Sequence, residues 1–174
     1  MLQRVRPGMK RRIDWLCTIV IEFIFYSFIG WTYETILTSI VWGRFAERGW
    51  LHLPLCPIYG FCGLAILLVL HKVKSVPLIF LFGTLFTTAA ELAASYILEF
   101  FLDKPLWDYD SWALNFDGRI ALGSSLIFGV LCVLLVKSFH TAAKYATDKM
   151  SSTAKRVTAA VMLGAIAVDV LILL

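Results

Sequence analysis

The chain has 174 residues, of which 60% are apolar and only 16% are charged. A soluble domain has roughly 45–50% apolar and about 25% charged residues, so this composition excludes an ordinary water-soluble domain and indicates a membrane protein. The net charge of +4 is compatible with a nucleic-acid partner. Because the basic residues flank apolar runs and form no basic motif, we predict no nucleic-acid partner.

The apolar residues form continuous runs rather than an alternating pattern, which favours transmembrane helices over a β-barrel. A helix crosses the hydrocarbon core with about 20 residues. We therefore predict an all-α fold, a polytopic bundle of about five spans that forms a single integral membrane domain over residues 1–174. The predicted spans are residues 15–42, 58–71, 76–102, 120–136 and 157–174. In a four-span alternative, the last run is a surface helix.

The distribution of basic residues predicts the orientation. Residues 1–12 resemble the basic start of a signal peptide, but the following run is too long and lacks a cleavage site, so a retained first helix is predicted. Twelve of the sixteen Lys and Arg lie in residues 1–12, 72–74 and 137–156. The other four are Arg44, Arg48, Lys104 and Arg119. This asymmetry predicts a cytoplasmic amino terminus.

Two loops are then expected on the outer face. The first, residues 43–57, belongs to a stretch over residues 43–61 that mixes turn residues, charges and aromatic side chains. This stretch predicts a folded plug or site wall; the alternative is a connector that only packs between helices. Residues 103–119 carry several aspartates and Arg119, so the two loops have opposite charges that can dock. Trp107, Tyr109 and Trp112 are alternatively residues of the headgroup belt.

Glutamates inside the predicted spans are the strongest functional signal. An ionised acid at the bilayer centre costs at least about 2.5–3.5 kcal/mol, so such groups face protein or water. Glu91, Ser95 and Glu99 follow the i, i+4, i+8 spacing of one helical stripe. Glu34 ends a similar stripe of small and polar residues on the first span, with Ser27 and Gly30, and small residues allow close helix approach. We expect the two stripes to face each other.

Two interpretations of these glutamates remain open. In the functional one, they line an outward-opening polar cavity that binds a cation, a proton or a polar substrate, with an arginine from the loops reaching down to them. In the structural one, each is protonated or held in an arginine pair that only fixes the fold. Glu22 lies nearer the cytoplasmic end and can snorkel, and Asp169 is expected at the outer interface without a role.

Motifs for catalysis, metals and cofactors are weak. No P-loop, serine nucleophile motif or nucleotide-binding glycine loop is present, so the chain is not predicted to be an enzyme or to hydrolyse ATP. The four cysteines have no CxxC spacing, and His52 with Cys56 is only a weak metal or haem signal. We predict no catalytic residue, metal or cofactor. The basic residues 137–156 allow a surface helix that contacts anionic lipid or a cytoplasmic partner.

Several rare residues recur in an order that resembles a known family, the CmpB-like putative ABC transporter permeases. They are Gly30-Trp31, Glu34, the GRF at 43–45, Arg48-Gly49, Leu51, the CPIYG at 56–60, Glu91, Glu99, the WDY at 107–109, Asn115-Phe116 and Gly118-Arg119. The resemblance covers about residues 20–130. It implies a small multi-pass protein of the bacterial inner (cytoplasmic) membrane that acts in transport, with a separate ATPase subunit.

These observations lead to one predicted function and two alternatives. We predict a membrane transport component, a putative ABC-type permease, that works as a homodimer or with a partner subunit. The alternatives are a non-transporting scaffold or regulator and an intramembrane lipid-modifying enzyme with a glutamate as general acid or base. The predicted substrate- or ion-binding residues are Glu34, Tyr59, Glu91, Ser95 and Glu99. The predicted outer gate or loop-pairing residues are Arg44, Arg48, Trp107, Asp108, Tyr109, Asn115 and Arg119.

Overall fold

The computed structural model describes residues 7–105 and 107–173. Arg4 and Arg6 of the basic arm and Leu174, the predicted end of the last span, lie outside the described residues. Of the described residues, 76% are helical, which confirms the predicted all-α fold. The one departure within the described part is a small β-hairpin.

Nine helical and strand elements follow each other along the described chain. They are α1 (Pro7–Trp42), α2 (Pro57–Leu70), α3 (Val76–Leu102), β1 (Asn115–Phe116), β2 (Ile120–Ala121), α4 (Leu122–Leu134), a π-helical turn (Leu135–Phe139), α5 (His140–Asp148) and α6 (Ser152–Leu173). The two strands are antiparallel, with Asn115 opposite Ala121 and Phe116 opposite Ile120.

Four of the described helices are long and apolar enough to cross a membrane: Gly8–Trp42, Val76–Phe101, Leu122–Asp148 and Ser152–Leu173. Helix α2 has 14 residues, which at about 1.5 Å per residue is shorter than a hydrocarbon core of roughly 30 Å. Five spans with a cytoplasmic amino terminus therefore remain a prediction.

The helix that begins at α4 continues without a break through the π-helical turn into α5 and ends at Asp148. The sequence analysis instead ended this span at residue 136 and placed a separate surface helix after it. The physical reason for the difference is that residues 135–148 contain neither Gly nor Pro, so nothing in the basic segment interrupts the helix.

The chain divides into two compact units, one formed by Met1–Leu64 with His140–Leu174 and the other by Ala65–Phe139. In the first unit, α1 packs against α6. The buried residues Ile24, Leu51 and Leu55 form a core with apolar residues of α6, among them Met162 and Ile166. This core draws on the segment between α1 and α2 as well as on the helices, so that segment is part of the folded unit.

The segment between α1 and α2, residues 43–56, is held by hydrogen bonds to α1. The backbone N–H of Ala46 donates to Ser39 Oγ (3.0 Å), and that of Cys56 donates to the Ser27 carbonyl oxygen (3.1 Å). Gly43 and Gly49 have φ of +63° and +103°, a backbone region that glycine adopts without steric cost. The two glycines and these hydrogen bonds thus hold the segment in a compact conformation against α1.

In the second unit, α3 and α4 approach closely at glycines. A Cβ atom on Gly83 would lie 2.6 Å from Cβ of Cys132, and one on Gly129 would lie 2.1 Å from Thr84 Oγ1. Such contacts are possible only without a side chain at those positions, so the two glycines allow α3 and α4 to pack closely. The loop after α3 then folds over the end of that helix.

Candidate functional site

The first polar cluster, which we call the Glu34 cluster, consists of Glu34, Arg48, Cys56 and Tyr59. Tyr59 donates a hydrogen bond of 2.7 Å to Glu34 Oε1. Arg48 Nε lies 3.7 Å from Glu34 Oε2 in an ion pair, and the Cys56 thiol lies 3.9 Å from the same oxygen. The carboxylate near the end of α1 is therefore bonded by residues of the adjacent loop and of α2.

Close helix packing brings these side chains together. A Cβ atom on Gly30 would lie 2.1 Å from Cγ of Tyr59, so the missing side chain lets the tyrosine ring lie against α1. Gly60 makes the same kind of approach to Ser27 and Phe23. The predicted small-residue stripe on α1 thus receives α2, and this contact aims Tyr59 at Glu34.

The loop supplies the other two members of the Glu34 cluster. The backbone N–H of Arg48 donates to Thr35 Oγ1 (3.3 Å), which fixes the arginine beside the next turn of α1. Cys56 is buried. Burial, with the nearby carboxylate of Glu34, raises the pKa of the Cys56 thiol to about 12, so this thiol is protonated and poorly nucleophilic at neutral pH.

We expect the Cys56 thiol to react very slowly with N-ethylmaleimide at pH 8. Its pKa of about 12 against the usual 9.0 lowers the thiolate fraction by about a thousandfold. The measurement uses a variant in which the other three cysteines are alanine, compared with the same background lacking Cys56 and carrying Ser151→Cys at an exposed position. Equal rates at Cys56 and residue 151 in the folded protein would contradict the burial of the thiol.

The second set of polar contacts lies along α3 in the other unit. Tyr109 donates a hydrogen bond of 2.8 Å to Glu91 Oε1. Glu99 lies two turns further along α3, and its Oε2 lies 2.5 Å from Arg119 Nη2. Arg119 Nε lies 3.1 Å from Asp117 Oδ2. Both predicted glutamates of this helix are therefore bonded by residues of the loop that follows it, as the charge pattern suggested.

Arg119 is held on several sides. Its guanidinium carbon lies 4.0 Å from the centre of the Tyr96 ring, a cation–π geometry. The hydrogen bond to Glu99, followed by that to Asp117, raises the pKa of Arg119. Trp107 Nε1 donates to the Arg119 carbonyl oxygen (2.9 Å). The arginine is thus fixed by its backbone as well as by its side chain.

A cavity of about 210 Å³ lies between α3 and this loop. Five of the predicted site residues line it: Ser95, Glu99, Trp107, Asp108 and Arg119. Asp110 and Asp117 add two further carboxylates to its lining. The space is large enough for several water molecules or a small polar solute, and its wall carries more acidic than basic groups.

Other predicted residues make contacts within their own segment. Asp108 Oδ1 accepts a hydrogen bond from the Asp110 N–H (2.8 Å), and Asn115 Nδ2 donates to the Trp112 carbonyl oxygen (3.0 Å). Ser95 donates to the Leu92 carbonyl oxygen (2.7 Å) of α3. Arg44 is exposed and lies over the Trp42 ring, 5.6 Å from its centre. Each of these contacts is with the side chain's own loop or helix and not with a glutamate.

Glu34 belongs to one compact unit, and Glu91 and Glu99 belong to the other. The joining of all three in one polar site, and the docking of the two outer loops, therefore remain predictions. What the structure adds is that each of these glutamates already has a loop or helix-end residue as its hydrogen-bond or ion-pair partner.

The sequence analysis missed the contacts of Asp169. This residue of α6 is buried, and its two carboxylate oxygens accept hydrogen bonds from His52 Nδ1 (2.8 Å) and from the Leu53 N–H (3.0 Å). Asp169 and Leu53 are 116 residues apart, so no local pattern linked them. The only available signal was an acidic residue inside an apolar run, which usually has a partner.

We expect Asp169→Ala to release residues 52–56 from α6. The variant removes both carboxylate oxygens through which α6 holds the loop, so the Cys56 thiol should react with maleimide at least about tenfold faster than in the parent. Asp148→Ala, which removes an exposed carboxylate of the same unit, is the matched control and should change the rate less than about twofold. An unchanged rate in Asp169→Ala would show that other contacts suffice to hold the loop.

Comparison with known proteins adds one decisive match. The model of a family described as putative ABC-transporter type IV matches residues 21–174. The chain belongs to this family. The resemblance drawn from the loop and glutamate motifs is thereby confirmed. No curated protein and no solved structure matches the chain.

Family membership and helix composition agree. A member of a putative ABC transporter family whose described part has four helices able to cross a membrane is a multi-pass membrane protein. Within residues 7–105 and 107–173, no group of three or more His, Cys, Asp or Glu side chains could hold a metal ion.

Proposed function

We propose that this chain is the membrane component of an ATP-binding-cassette transporter and that its intramembrane glutamates line the substrate pathway. One observation carries the proposal beyond family membership. Each glutamate of the predicted site is bonded by a residue that the sequence analysis had also assigned to the site: Glu34 by Tyr59, Glu91 by Tyr109 and Glu99 by Arg119.

Such pairs can work as a gate. A charge-assisted hydrogen bond contributes about 1.5–3 kcal/mol to stability, so a pair of this kind can be exchanged for contacts with a substrate at moderate cost. A cation or polar substrate that hydrogen-bonds to Glu99 displaces Arg119, which keeps Asp117 as its second partner. The cavity beside this pair provides the space in which the exchange takes place.

The proposal includes a topology and partners. The chain crosses the cytoplasmic membrane five times with a cytoplasmic amino terminus, since the basic residues concentrate on that side. A separate ATPase subunit docks on the cytoplasmic segments near residues 72–74 and 137–156, because the sequence contains no P-loop of its own. Five helices rarely enclose a full pathway, so two copies assemble.

The test is purification of the tagged full chain from native membranes in a mild detergent. We expect an ATPase subunit in a fixed ratio to the chain, two copies of the chain, and ATP hydrolysis by the complex. A chain that purifies without any ATPase, from membranes in which chemical cross-linking also captures none, would refute the ATP-driven proposal.

A non-transporting scaffold is the second candidate, because the same pairs could equally hold the loops on the helices without taking part in transport. A carboxylate that already has an arginine or tyrosine partner does not need a further role beyond holding the loop on the helix. The two functions differ in the effect of Glu34→Gln. In a scaffold the change lowers the amount of folded protein, whereas in a transporter it leaves folding intact and removes transport.

A further inference from the structure

Basic side chains gather where the first turns of α1 and α6 meet, within the first unit. Lys10, Arg11 and Arg12 are exposed on the first turns of α1. Lys149 is exposed in the turn between α5 and α6, and Lys155 is partly exposed on the first turn of α6. We call these five residues the basic corner.

Contacts between the two helices bring the segments that carry these residues together. Asp14 Oδ1 accepts a hydrogen bond of 2.7 Å from Arg156 Nε, and its Oδ2 accepts one of 2.7 Å from Ser152 Oγ. Arg156 Nη2 also donates to the Lys10 carbonyl oxygen at 3.5 Å. The charge of Asp14 is therefore balanced mainly by Arg156, with a smaller contribution from Lys155 of the basic corner.

We propose that the basic corner binds the headgroups of anionic phospholipids in the bilayer around the protein. Clusters of four to eight Lys and Arg beside a membrane-crossing helix attract anionic lipid, and each basic residue strengthens binding by about fivefold. The basic corner lies at the start of two apolar helices, Gly8–Trp42 and Ser152–Leu173. This binding does not depend on transport, but Lys149 and Lys155 lie in the segment 137–156 that we also propose to dock an ATPase subunit, so the test measures lipid binding and ATPase co-purification separately.

Two features favour lipid over a protein partner. Trp15, one turn after the basic residues of α1, is 62% exposed, and tryptophan is enriched at the headgroup level of membranes. Three members of the corner are lysines, which are depleted in protein–protein interfaces and whose long stems can lie along apolar surface while the amine reaches the phosphates. The Lys149 amine makes a cation–π contact with the exposed ring of Tyr145, 4.0 Å from the ring centre.

The test compares lipid binding to the purified full chain in neutral detergent by native mass spectrometry. The probes are phosphatidylglycerol and phosphatidylcholine with the same acyl chains. The test variant is Lys10→Gln/Arg11→Gln/Arg12→Gln, and the matched control is Lys72→Gln/Lys74→Gln/Lys104→Gln, which removes the same charge at exposed positions elsewhere. A second variant, Lys149→Gln/Lys155→Gln, examines the other side of the corner and serves if the triple variant does not fold.

We expect the parent and the control to prefer phosphatidylglycerol by at least about tenfold, and both corner variants to lose most of that preference. Three results would overturn the proposal: no preference in the parent, an equal loss in the control, or an unchanged preference in the corner variants. Corner variants that keep their lipid preference but lose a co-purifying ATPase subunit would assign the basic corner to a protein partner instead.

Discussion

Under the proposed transport function, ATP-driven transport should fall at least about tenfold when Glu99 is replaced by glutamine. Glutamine keeps the shape of the side chain but loses the charge that binds Arg119 Nη2 at 2.5 Å. A charged hydrogen bond contributes about 1.5–3 kcal/mol, which corresponds to roughly a 10- to 100-fold change in an equilibrium. The measurement is ATP-driven transport in vesicles that contain the complex, with mass spectrometry of the purified parent complex used first to identify the bound small molecule that serves as the probe.

Glu47→Gln is the matched control, because Glu47 is an exposed glutamate of the loop between α1 and α2. It should leave uptake within about twofold of the parent. Normal uptake in Glu99→Gln, at a normal level of folded protein, would remove Glu99 from the transport site. A loss of folded protein in proportion to the loss of uptake would instead support a scaffold role.

The largest loss of stability is expected for Gly30→Ala. The new Cβ atom would lie 2.1 Å from Cγ of Tyr59, 2.4 Å from its Cβ and 2.5 Å from its Cδ2. These atoms are near the root of the tyrosine side chain, so the ring cannot rotate away and α2 must move. Overpacking of this kind typically costs about 1–3 kcal/mol, and the movement also breaks the hydrogen bond from Tyr59 to Glu34.

Thermal unfolding in detergent, followed by size-exclusion chromatography, measures this effect. Gly164→Ala is the control because no other atom lies within 4 Å of its new Cβ position. In a helix interior this change should stabilise the protein by about 0.5–1 kcal/mol. If Gly30→Ala melted at the same temperature as Gly164→Ala, the close contact between α1 and α2 would be wrong.

Local patterns were sufficient for the long apolar helices, and they indicated the residues of the candidate site, whose role remains a prediction. Continuous apolar runs predicted α1 and α3 closely because apolar length is a property of neighbouring residues. The spacing of Glu91, Ser95 and Glu99 placed them on one helix face for the same reason. The helix of the predicted span 120–136 continues to Asp148, since a basic segment without Gly or Pro can continue a helix beyond its apolar part, and the end of the span itself remains a prediction.

Contacts between distant residues could not be predicted in this way. His52 and Asp169 bond across 117 positions of the chain, and Asp14 bonds to Arg156 across 142. The sequence predicted that an arginine from the outer loops would pair with Glu99. That this arginine is Arg119 depends on how the loop folds over α3. Gly118, with a φ of +61°, helps to form the turn that brings Arg119 to that position.

By itself, the sequence determined that this is a helical membrane protein with acidic residues inside its spans, because the bilayer requires long apolar helices and makes isolated charges costly. It also carried the motifs of its transporter family. Only the tertiary structure decided which side chain each acid meets. Hydrogen bonds and ion pairs act over a few ångströms, so they depend on the packing of residues that the chain itself keeps far apart.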